Sequence, residues 1–254
     1  MNTPLIEFED VHKSFGGEEV LRGVHLCIYG GQITTIIGKS GTGKSVLLKH
    51  IIGLLTPDSG RILFEGRPLG SMDAAGRKRM KSRCSYMFQG TALFDAMTVY
   101  DNIALPLKER GRLKPADIRQ RVQEKLAQLD IAGIESEYPS QLSGGMKKRV
   151  AMARALITEP EIVLFDEPTT GLDPIRKQAA HQMIVEYQSR FGFTAVMVSH
   201  EIPDVFFISQ RIAMLDEGRI IFEGGCPEIQ AATHPAVRAF IAAGREAEDN
   251  CRET

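Results

Sequence analysis

Tryptophan is absent from this sequence, and cysteine is scarce. Four cysteines occur among the 254 residues, at positions 27, 84, 226 and 251. These positions are far apart and form none of the paired spacings that mark a zinc site or a disulfide framework. We therefore expect reduced thiols, as in a cytosolic protein. A chain of this length can bury a sizeable apolar core without such supports.

Long apolar runs and an excess of one charge are also missing. No run approaches the roughly 18 to 20 apolar residues of a membrane-spanning helix. The N-terminus lacks the basic and then apolar pattern of a signal peptide. Lysine and arginine number 31 against 32 aspartates and glutamates, for a net charge of −1, which argues against binding nucleic acid through bulk charge. Any link to a membrane would therefore go through a partner.

Two kinds of apolar run predict two kinds of sheet. The alternating runs at 5–11, 24–28 and 61–64 are typical of a small antiparallel sheet. The runs at 33–37, 162–165 and 195–198 are nearly all apolar, as in parallel strands covered by helices on both faces. Between these two regions, apolar residues at helical spacing after Pro115 predict a helix.

A glycine-rich segment follows the first of the buried runs. It matches the pattern G-x-x-x-x-G-K-[ST], with a strand before it and an apolar helix after it. The glycines let backbone N–H groups converge on phosphate oxygens, and the helix N-terminus adds its positive end. Lys44 is predicted to reach the outer phosphates and Ser45 to hold Mg²⁺. The alternative is a glycine-rich turn without a ligand. The nucleotide-binding candidates are Gly38, Lys39, Ser40, Gly41, Thr42, Gly43, Lys44 and Ser45.

Two further strand ends carry candidate catalytic residues. The run at 162–165 ends in Asp166, which can bind Mg²⁺ or its water shell, and Glu167, which can polarise an attacking water. His200 follows the run at 195–198 and is predicted to contact the γ-phosphate. The alternatives are a solvated acid pair and a structural histidine, but the phosphate loop makes the catalytic interpretation the better one.

The segment Leu142-Ser143-Gly144-Gly145-Met146 lies 20 residues before Asp166. Ser143 can cap a helix whose first turn offers bare N–H groups, which makes a second anion site. The segment resembles the signature motif of the ATP-binding cassette (ABC) ATPases. The resemblance implies that two copies pair head-to-tail, each signature facing the phosphate loop of the other copy.

The resemblance extends from residue 4 to about 235. It implies that Phe15 lies against adenine and that Gln89 touches Mg²⁺ and water and senses a permease. It also implies that the loop ending in Asp173 crosses the dimer interface. Two departures stand out: the signature ends in Met146 instead of the usual glutamine, and Thr170-Gly171 replaces the commoner Ser-Ala.

The implied fold class is α/β, a P-loop NTPase of the ABC ATPase type. Its mixed sheet core carries an antiparallel β subdomain and an inserted helical subdomain. Residues 1–235 would form a single ABC ATPase domain, with the helical subdomain at approximately 90–158. Residues 236–254 would form a short C-terminal helix and a polar tail. The apolar stretch 88–105 would supply either the groove for the permease or the packing of the helical subdomain.

A finer resemblance rests on three segments: residues 90–95, the signature ending in methionine, and residues 199–204. Together they resemble the ATPase of Mla-type (Mce-associated) phospholipid transporters. This implies ATP and Mg²⁺ as cofactors. It implies a second copy, a transmembrane permease and an Mce-type lipid-binding protein as partners, with no nucleic acid, at the cytoplasmic face of the inner membrane.

Two other functions remain open. The ATPase of an amino-acid importer has a similar length and similar motifs. ABC proteins that act as clamps in DNA repair or on the ribosome are a less favoured alternative, because they usually carry coiled coils, zinc sites or two cassettes. A P-loop nucleotide kinase would leave the signature segment unexplained.

Overall fold

The computed structural model describes residues 3–88, 90–111, 113–201 and 204–252. Within these ranges the chain forms two sheets and a set of helices packed around them. The strands are β1 (Ile6–Phe15), β2 (Glu18–Ile28), β3 (Ile33–Ile37), β4 (Ser59–Phe64), β5 (Arg67–Pro68), β6 (Cys84–Met87), β7 (Ile162–Asp166), β8 (Thr194–Ser199), β9 (Arg211–Asp216) and β10 (Arg219–Gly224). The helices are α1 (Lys44–Ile51), α2 (Ala74–Ser82), α3 (Val99–Arg110), α4 (Pro115–Gln128), α5 (Gly144–Leu156), α6 (Pro174–Phe191), α7 (Asp204–Ile208), α8 (Cys226–Gln230) and α9 (Pro235–Arg252).

The smaller sheet is antiparallel and has the strand order β2-β1-β4-β5. Its inner face follows the alternation of the sequence, because Ile6 and Phe8 are 2% and 1% exposed. The sharp return from β4 to β5 uses Glu65 and Gly66, both with positive φ. The predicted antiparallel sheet is therefore confirmed.

The larger sheet has the order β10-β9-β3-β8-β7-β6. Strands β9, β3, β8, β7 and β6 are parallel, and β10 joins β9 in the antiparallel sense. Every residue of β3 and of β8 is buried, as expected for strands covered on both faces. This mixed sheet confirms the predicted fold class. Since parallel strands end at one edge, the residues that follow β3, β7 and β8 are brought together there.

Helices α3, α4 and α5 lie in the span predicted for a helical subdomain. They share one apolar core with the larger sheet, to which Ile103, Val122 and Val150 contribute fully buried side chains. Pro115 begins α4, as predicted. Among the described helices, none is long and apolar enough to cross a membrane.

The C-terminal helix differs from the prediction. A short helix with a polar tail was expected, but α9 runs from Pro235 to Arg252. Its first half packs on the core through Val237 and Ile241. The residues after Gly244 include good helix formers, and one glycine inside a helix costs only about 1 kcal/mol. A single glycine therefore does not end the helix.

Asn102 fastens the loop after β6 to the first turn of α3. Its side chain is fully buried. Its Oδ1 accepts a hydrogen bond from the Phe94 N–H at 2.8 Å, and its Nδ2 donates to the carbonyl oxygens of Phe94, Met97 and Thr98 at 3.0, 3.1 and 3.0 Å. One amide thus satisfies four backbone groups of the loop.

We expect Asn102→Ala to lower the free energy of unfolding by about 3 kcal/mol, because it removes the side-chain partner of the Phe94 N–H and of the Met97 carbonyl oxygen. The measurement is urea unfolding of the full chain. Gln120→Ala is the matched control, since Gln120 is exposed and its side chain donates to the neighbouring exposed Glu124, and it should stay within about 0.5 kcal/mol of wild type. Equal unfolding midpoints for the two variants would contradict this role for Asn102.

Candidate nucleotide site

The glycine-rich loop between β3 and α1 is seated tightly against two neighbouring strands. Gly38 and Gly43 have φ angles of 154° and 99°, where side chains are rarely tolerated. A Cβ on Gly38 would lie 2.3 Å from the Leu215 carbonyl oxygen, and one on Gly43 would lie 2.8 Å from Val20 Cγ1. These contacts explain why glycine is required at both positions. The path of the loop is that of a phosphate cradle.

Lys44 begins α1 and is only 4% exposed. Its Nζ donates to the carbonyl oxygens of Gly38 at 2.9 Å and Lys39 at 2.7 Å. Burial lowers the pKa of the Lys44 ammonium, and the charges of Glu167 and Asp166 oppose that shift. The ammonium is therefore held across the loop, where phosphate oxygens would be stronger, charged acceptors than carbonyls.

The remaining residues of the loop face outward or brace it. Lys39, Ser40 and Gly41 are exposed. The Thr42 hydroxyl donates to the Lys39 carbonyl oxygen at 2.9 Å. The loop residues predicted to bind nucleotide thus follow one another from the end of β3 into α1.

Ser45 and Asp166 meet at this edge of the sheet. The Ser45 hydroxyl donates to Asp166 Oδ1 at 2.7 Å, and the Tyr86 hydroxyl donates to Asp166 Oδ2 at 2.6 Å. A hydroxyl and a carboxylate are hard oxygen ligands, and Mg²⁺ usually takes only one or two such groups beside phosphates and waters. In the described part of the chain no three metal-binding side chains cluster. Ser45 and Asp166 therefore fit Mg²⁺ that arrives with a nucleotide.

Glu167 is held from both sides at the same edge. Its backbone has a φ of 50°, an uncommon conformation for a residue other than glycine, and its N–H donates to the Val198 carbonyl oxygen at 3.2 Å. Its Oε2 accepts from the Thr170 hydroxyl at 3.0 Å, and its Oε1 lies 3.3 Å from His200 Nδ1. The side chains of Glu167 and His200 are 20% and 37% exposed. Both groups are accessible to a substrate at this edge.

The signature segment presents a bare helix N-terminus to solvent. Ser143 caps α5, its Oγ accepting from the Met146 N–H at 3.3 Å, as predicted. Ser143, Gly144 and Gly145 are exposed, and a Cβ on either glycine would meet nothing within 4 Å. Leu142 is buried, and Met146 packs partly buried against the core of the helical subdomain. Packing among the described residues therefore does not require glycine at 144 or 145.

Two other predicted residues are accessible as well. Phe15, at the end of β1, is 44% exposed, and Lys13 Nζ lies 5.5 Å from its ring centroid. Its ring can stack on a planar base. Asp173 caps α6, its Oδ1 accepting from the Arg176 N–H at 3.0 Å. Gln89 lies outside the described residues, as do Ile202 and Pro203 of the segment 199–204.

Sequence reasoning missed Tyr86 as a partner of Asp166. Tyr86 belongs to β6 and Asp166 to β7, two strands that pair in the sheet but are separated by many residues in the chain. The available signal was the polar hydroxyl inside an otherwise apolar strand, because a partly buried tyrosine hydroxyl usually finds a hydrogen-bond partner.

Comparison with known proteins decides the family. The family profile described as "ABC transporter" matches residues 21–170, more than half of the chain. The chain belongs to the ABC transporter family. It is an ATP-binding subunit and an ATPase, as its sequence motifs predicted.

Several relatives of this ABC ATPase cover most of its length. It is 38% identical over 237 residues to the intermembrane phospholipid transport system ATP-binding protein MlaF of Escherichia coli, covering 93% of this chain and 88% of that protein. It is 37% identical over 236 residues to the probable ribonucleotide transport ATP-binding protein mkl of Mycobacterium tuberculosis, covering 93% of this chain but 66% of that protein. The chain therefore spans slightly less than two thirds of mkl.

Two further relatives widen the range of transport systems. The methionine import ATP-binding protein MetN 2 of Pseudomonas aeruginosa is 39% identical over 242 residues, covering 93% of this chain and 72% of that protein. The solved structure of cbiO1 from Clostridium perfringens, part of the ABC transporter complex cbiONQ, superposes with a TM-score of 0.82 at 32% identity and covers 90% of this chain and 91% of that one. The fold is thus shared among ABC ATPases of different transporters.

We expect Lys44→Ala to abolish or severely weaken ATP binding while leaving the fold intact, because it removes the cation held across the phosphate loop. A fluorescent ATP analogue titrated into the purified chain measures the affinity. Lys49→Ala is the matched control, since Lys49 is exposed near the end of the same helix. Unchanged affinity in Lys44→Ala would rule out the proposed cradle.

Proposed function

We propose that this ABC ATPase hydrolyses Mg·ATP as a head-to-tail homodimer and drives a membrane permease that transports phospholipid. The hydrolytic part rests on one observation above all. Ser45, Asp166, Glu167 and His200 come together at the carboxyl edge of the larger sheet, beside the phosphate loop. That arrangement supplies a metal site and a general base around the place where a γ-phosphate would lie.

Each residue has a distinct role in this proposal. Lys44 would neutralise the outer phosphates, and Ser45 with Asp166 would hold Mg²⁺, which would supply further positive charge to the phosphates. Glu167 accepts the proton of the attacking water. His200, 3.3 Å from Glu167, orients that carboxylate and faces the γ-phosphate from the neighbouring strand. Phe15 would stack on the adenine base.

The second copy is supported by the signature segment. The N–H groups at the start of α5 point to an anion site, since a helix N-terminus carries partial positive charge. The exposed glycines at 144 and 145 are not needed by the chain's own packing. A phosphate from the facing subunit would approach this bare backbone closely. The loop ending in Asp173 would lie at the same interface.

The permease contact is proposed for the surface that contains Phe88 and Phe94. Phe88 and Phe94 are 51% and 50% exposed, which is a large apolar area for a solvated loop. A cleft of about 260 Å³ opens nearby in the helical subdomain, lined by Thr98, Tyr100, Arg119, Gln123, Glu135 and Ser136. Val99 and Ile103, by contrast, are fully buried. The stretch 88–105 thus divides into an outward-facing part and a core part.

The same loop is tied to the signature helix. Arg154 of α5 donates to the carbonyl oxygens of Thr91 at 3.0 Å and Ala92 at 2.9 Å. Thr91 and Ala92 both have positive φ angles. A force applied to this loop by a permease would therefore reach α5. Closing of two subunits on ATP would in turn move the loop, which is how binding can do work on the permease.

Phospholipid is the favoured substrate for two reasons. Residues 90–95, the signature ending in methionine and residues 199–204 resemble the ATPase of an Mla-type phospholipid transporter, and one relative is named for such a system. MlaF, whose name assigns it to intermembrane phospholipid transport, matches over 88% of its own length. Moving an acyl chain through water costs about 0.8 kcal/mol per CH₂ group, so such a system needs an energy source. An Mce-type lipid-binding protein would be a further partner, and the chain would lie at the cytoplasmic face of the inner membrane.

An amino-acid importer remains the second candidate. MetN 2, a methionine import protein by name, is 39% identical over 72% of its length. The identities alone do not separate the two systems, so the substrate must be tested in cells. A non-transport clamp has the least support.

For the dimer, we expect Glu167→Gln to bind ATP, hardly hydrolyse it and accumulate as a dimer. Adding Ser143→Arg should keep that variant monomeric, because the arginine places bulk against the facing γ-phosphate. Size-exclusion chromatography with ATP distinguishes the two states. Ala116→Arg is the control, since it puts the same side chain at an exposed position in the first turn of α4. A full dimer with Ser143→Arg would disprove the head-to-tail arrangement.

For the substrate, we expect a deletion strain to have a leaky outer membrane and increased detergent sensitivity, with normal growth on single amino acids. Wild-type protein should restore the envelope, and Glu167→Gln should not, because transport needs hydrolysis. The measurements are detergent survival and uptake of labelled amino acids. Failed uptake of one amino acid with an intact envelope would assign the protein to the importer class.

A further inference from the structure

Tyr86 belongs to β6, which pairs in parallel with β7. Its hydroxyl donates to Asp166 Oδ2 at 2.6 Å, on the strand beside it. The distance is typical of an O–H group bound to a charged carboxylate, which is stronger than a neutral hydrogen bond. No step of the hydrolytic mechanism proposed above uses this hydroxyl.

The two oxygens of Asp166 have different partners. Oδ1 accepts from the Ser45 hydroxyl at 2.7 Å, and Oδ2 accepts from Tyr86. A carboxylate bonded at one oxygen only can rotate about its terminal bond, because that torsion has a broad energy profile. A second bond from a different strand removes this freedom. The Tyr86 hydroxyl therefore keeps Oδ1 directed at Ser45.

The ring of Tyr86 also reaches the surface proposed for the permease. Its centroid lies 4.5 Å from that of Phe88, which is half exposed and directly precedes Gln89. The rings are tilted by 39°, within the range of attractive aromatic pairs. One residue thus touches both the exposed loop and the carboxylate of the nucleotide site.

We propose that Tyr86 is a positioning residue for the magnesium site: its hydroxyl orients the Asp166 carboxylate toward the metal, and its ring connects that carboxylate to Phe88 on the permease side. The inference rests on the proposed function, since it takes Asp166 as the Mg²⁺ ligand. Residues that orient a metal ligand through hydrogen bonds commonly change metal affinity or activity by 10- to 100-fold when they are lost.

The test separates the hydroxyl from the ring. Tyr86→Phe removes the hydroxyl and keeps the ring packed against Phe88, so a packing role alone would survive it. The control is Tyr29→Phe, because Tyr29 lies just before β3, at the opposite end of that strand from the phosphate loop. Both changes are made in full-length Glu167→Gln, which keeps the nucleotide intact during the measurement.

Three quantities are measured: binding of a fluorescent ATP analogue in EDTA, its dependence on Mg²⁺ concentration, and the spin-resonance spectrum of Mn²⁺ bound with ATP. We expect Tyr86→Phe to raise the half-saturating Mg²⁺ concentration about tenfold and to alter the Mn²⁺ spectrum. Binding in EDTA should match that of the parent, the thermal unfolding midpoint should fall by only about 5 °C for the lost hydrogen bond, and Tyr29→Phe should change neither the Mg²⁺ requirement nor the Mn²⁺ spectrum.

An unchanged Mg²⁺ requirement in Tyr86→Phe would overturn the positioning role. So would a loss of ATP binding that is equal in EDTA and in Mg²⁺, because that pattern means a general structural role. Asp166→Asn in the same background tests the underlying site separately. If Asp166→Asn leaves the Mg²⁺ dependence as in the parent, the magnesium site of the proposed function fails, whatever Tyr86→Phe shows.

Discussion

The parallel register of β3, β8 and β7 is the constraint on which the nucleotide site depends. Ile37 pairs with Ser199, and Asp166 pairs with Val198, so the three strands end at nearly the same level. The next residues along the chain are Gly38, His200 and Glu167. A parallel sheet gathers such strand ends at one edge. Because side chains alternate between the two faces of a strand, a slip of one residue in a strand pair would turn His200 or Glu167 to the other face.

The buried runs protect that register. Each of these strands is mostly apolar and buried along nearly its whole length, so a shifted pairing would disturb side chains that are packed on both faces. Lys44 and Ser45 enter the same edge from α1, whose position is set by the tightly seated loop at Gly38 and Gly43. Backbone packing therefore brings the residues of the site together, and hydrogen bonds between side chains then orient Asp166 and Glu167.

Much of this arrangement could be predicted from sequence because its signals are local. Three signals can each be recognised within a few residues of sequence. They are a glycine-rich loop between a strand and a helix, an acid pair at a strand end, and Ser143 before α5. Tyr86 could not be placed in this way, since its partnership with Asp166 depends on which strands are neighbours. Likewise Asn102 looks like an ordinary helix residue until the loop that it binds is seen to fold over it.

The C-terminal helix shows the other limit of sequence reasoning. Its start could be recognised from apolar residues at helical spacing, and these pack on the core. Its end could not, because one glycine weighs little against a run of helix-forming neighbours. The position of the signature methionine likewise could not be predicted, since Met146 packs partly buried against the core that the helices share with the larger sheet.

The hydrogen bonds of Lys44 have a consequence for the rate at which this subunit can cycle. Its ammonium bonds two carbonyl oxygens of the very loop that it closes. When a phosphate binds, the Lys44 ammonium exchanges these carbonyl oxygens for phosphate oxygens as acceptors. The loop therefore does not have to become ordered first. Little conformational entropy is lost on binding. The phosphate loop therefore adds no ordering step to nucleotide binding, which favours rapid exchange of the nucleotide.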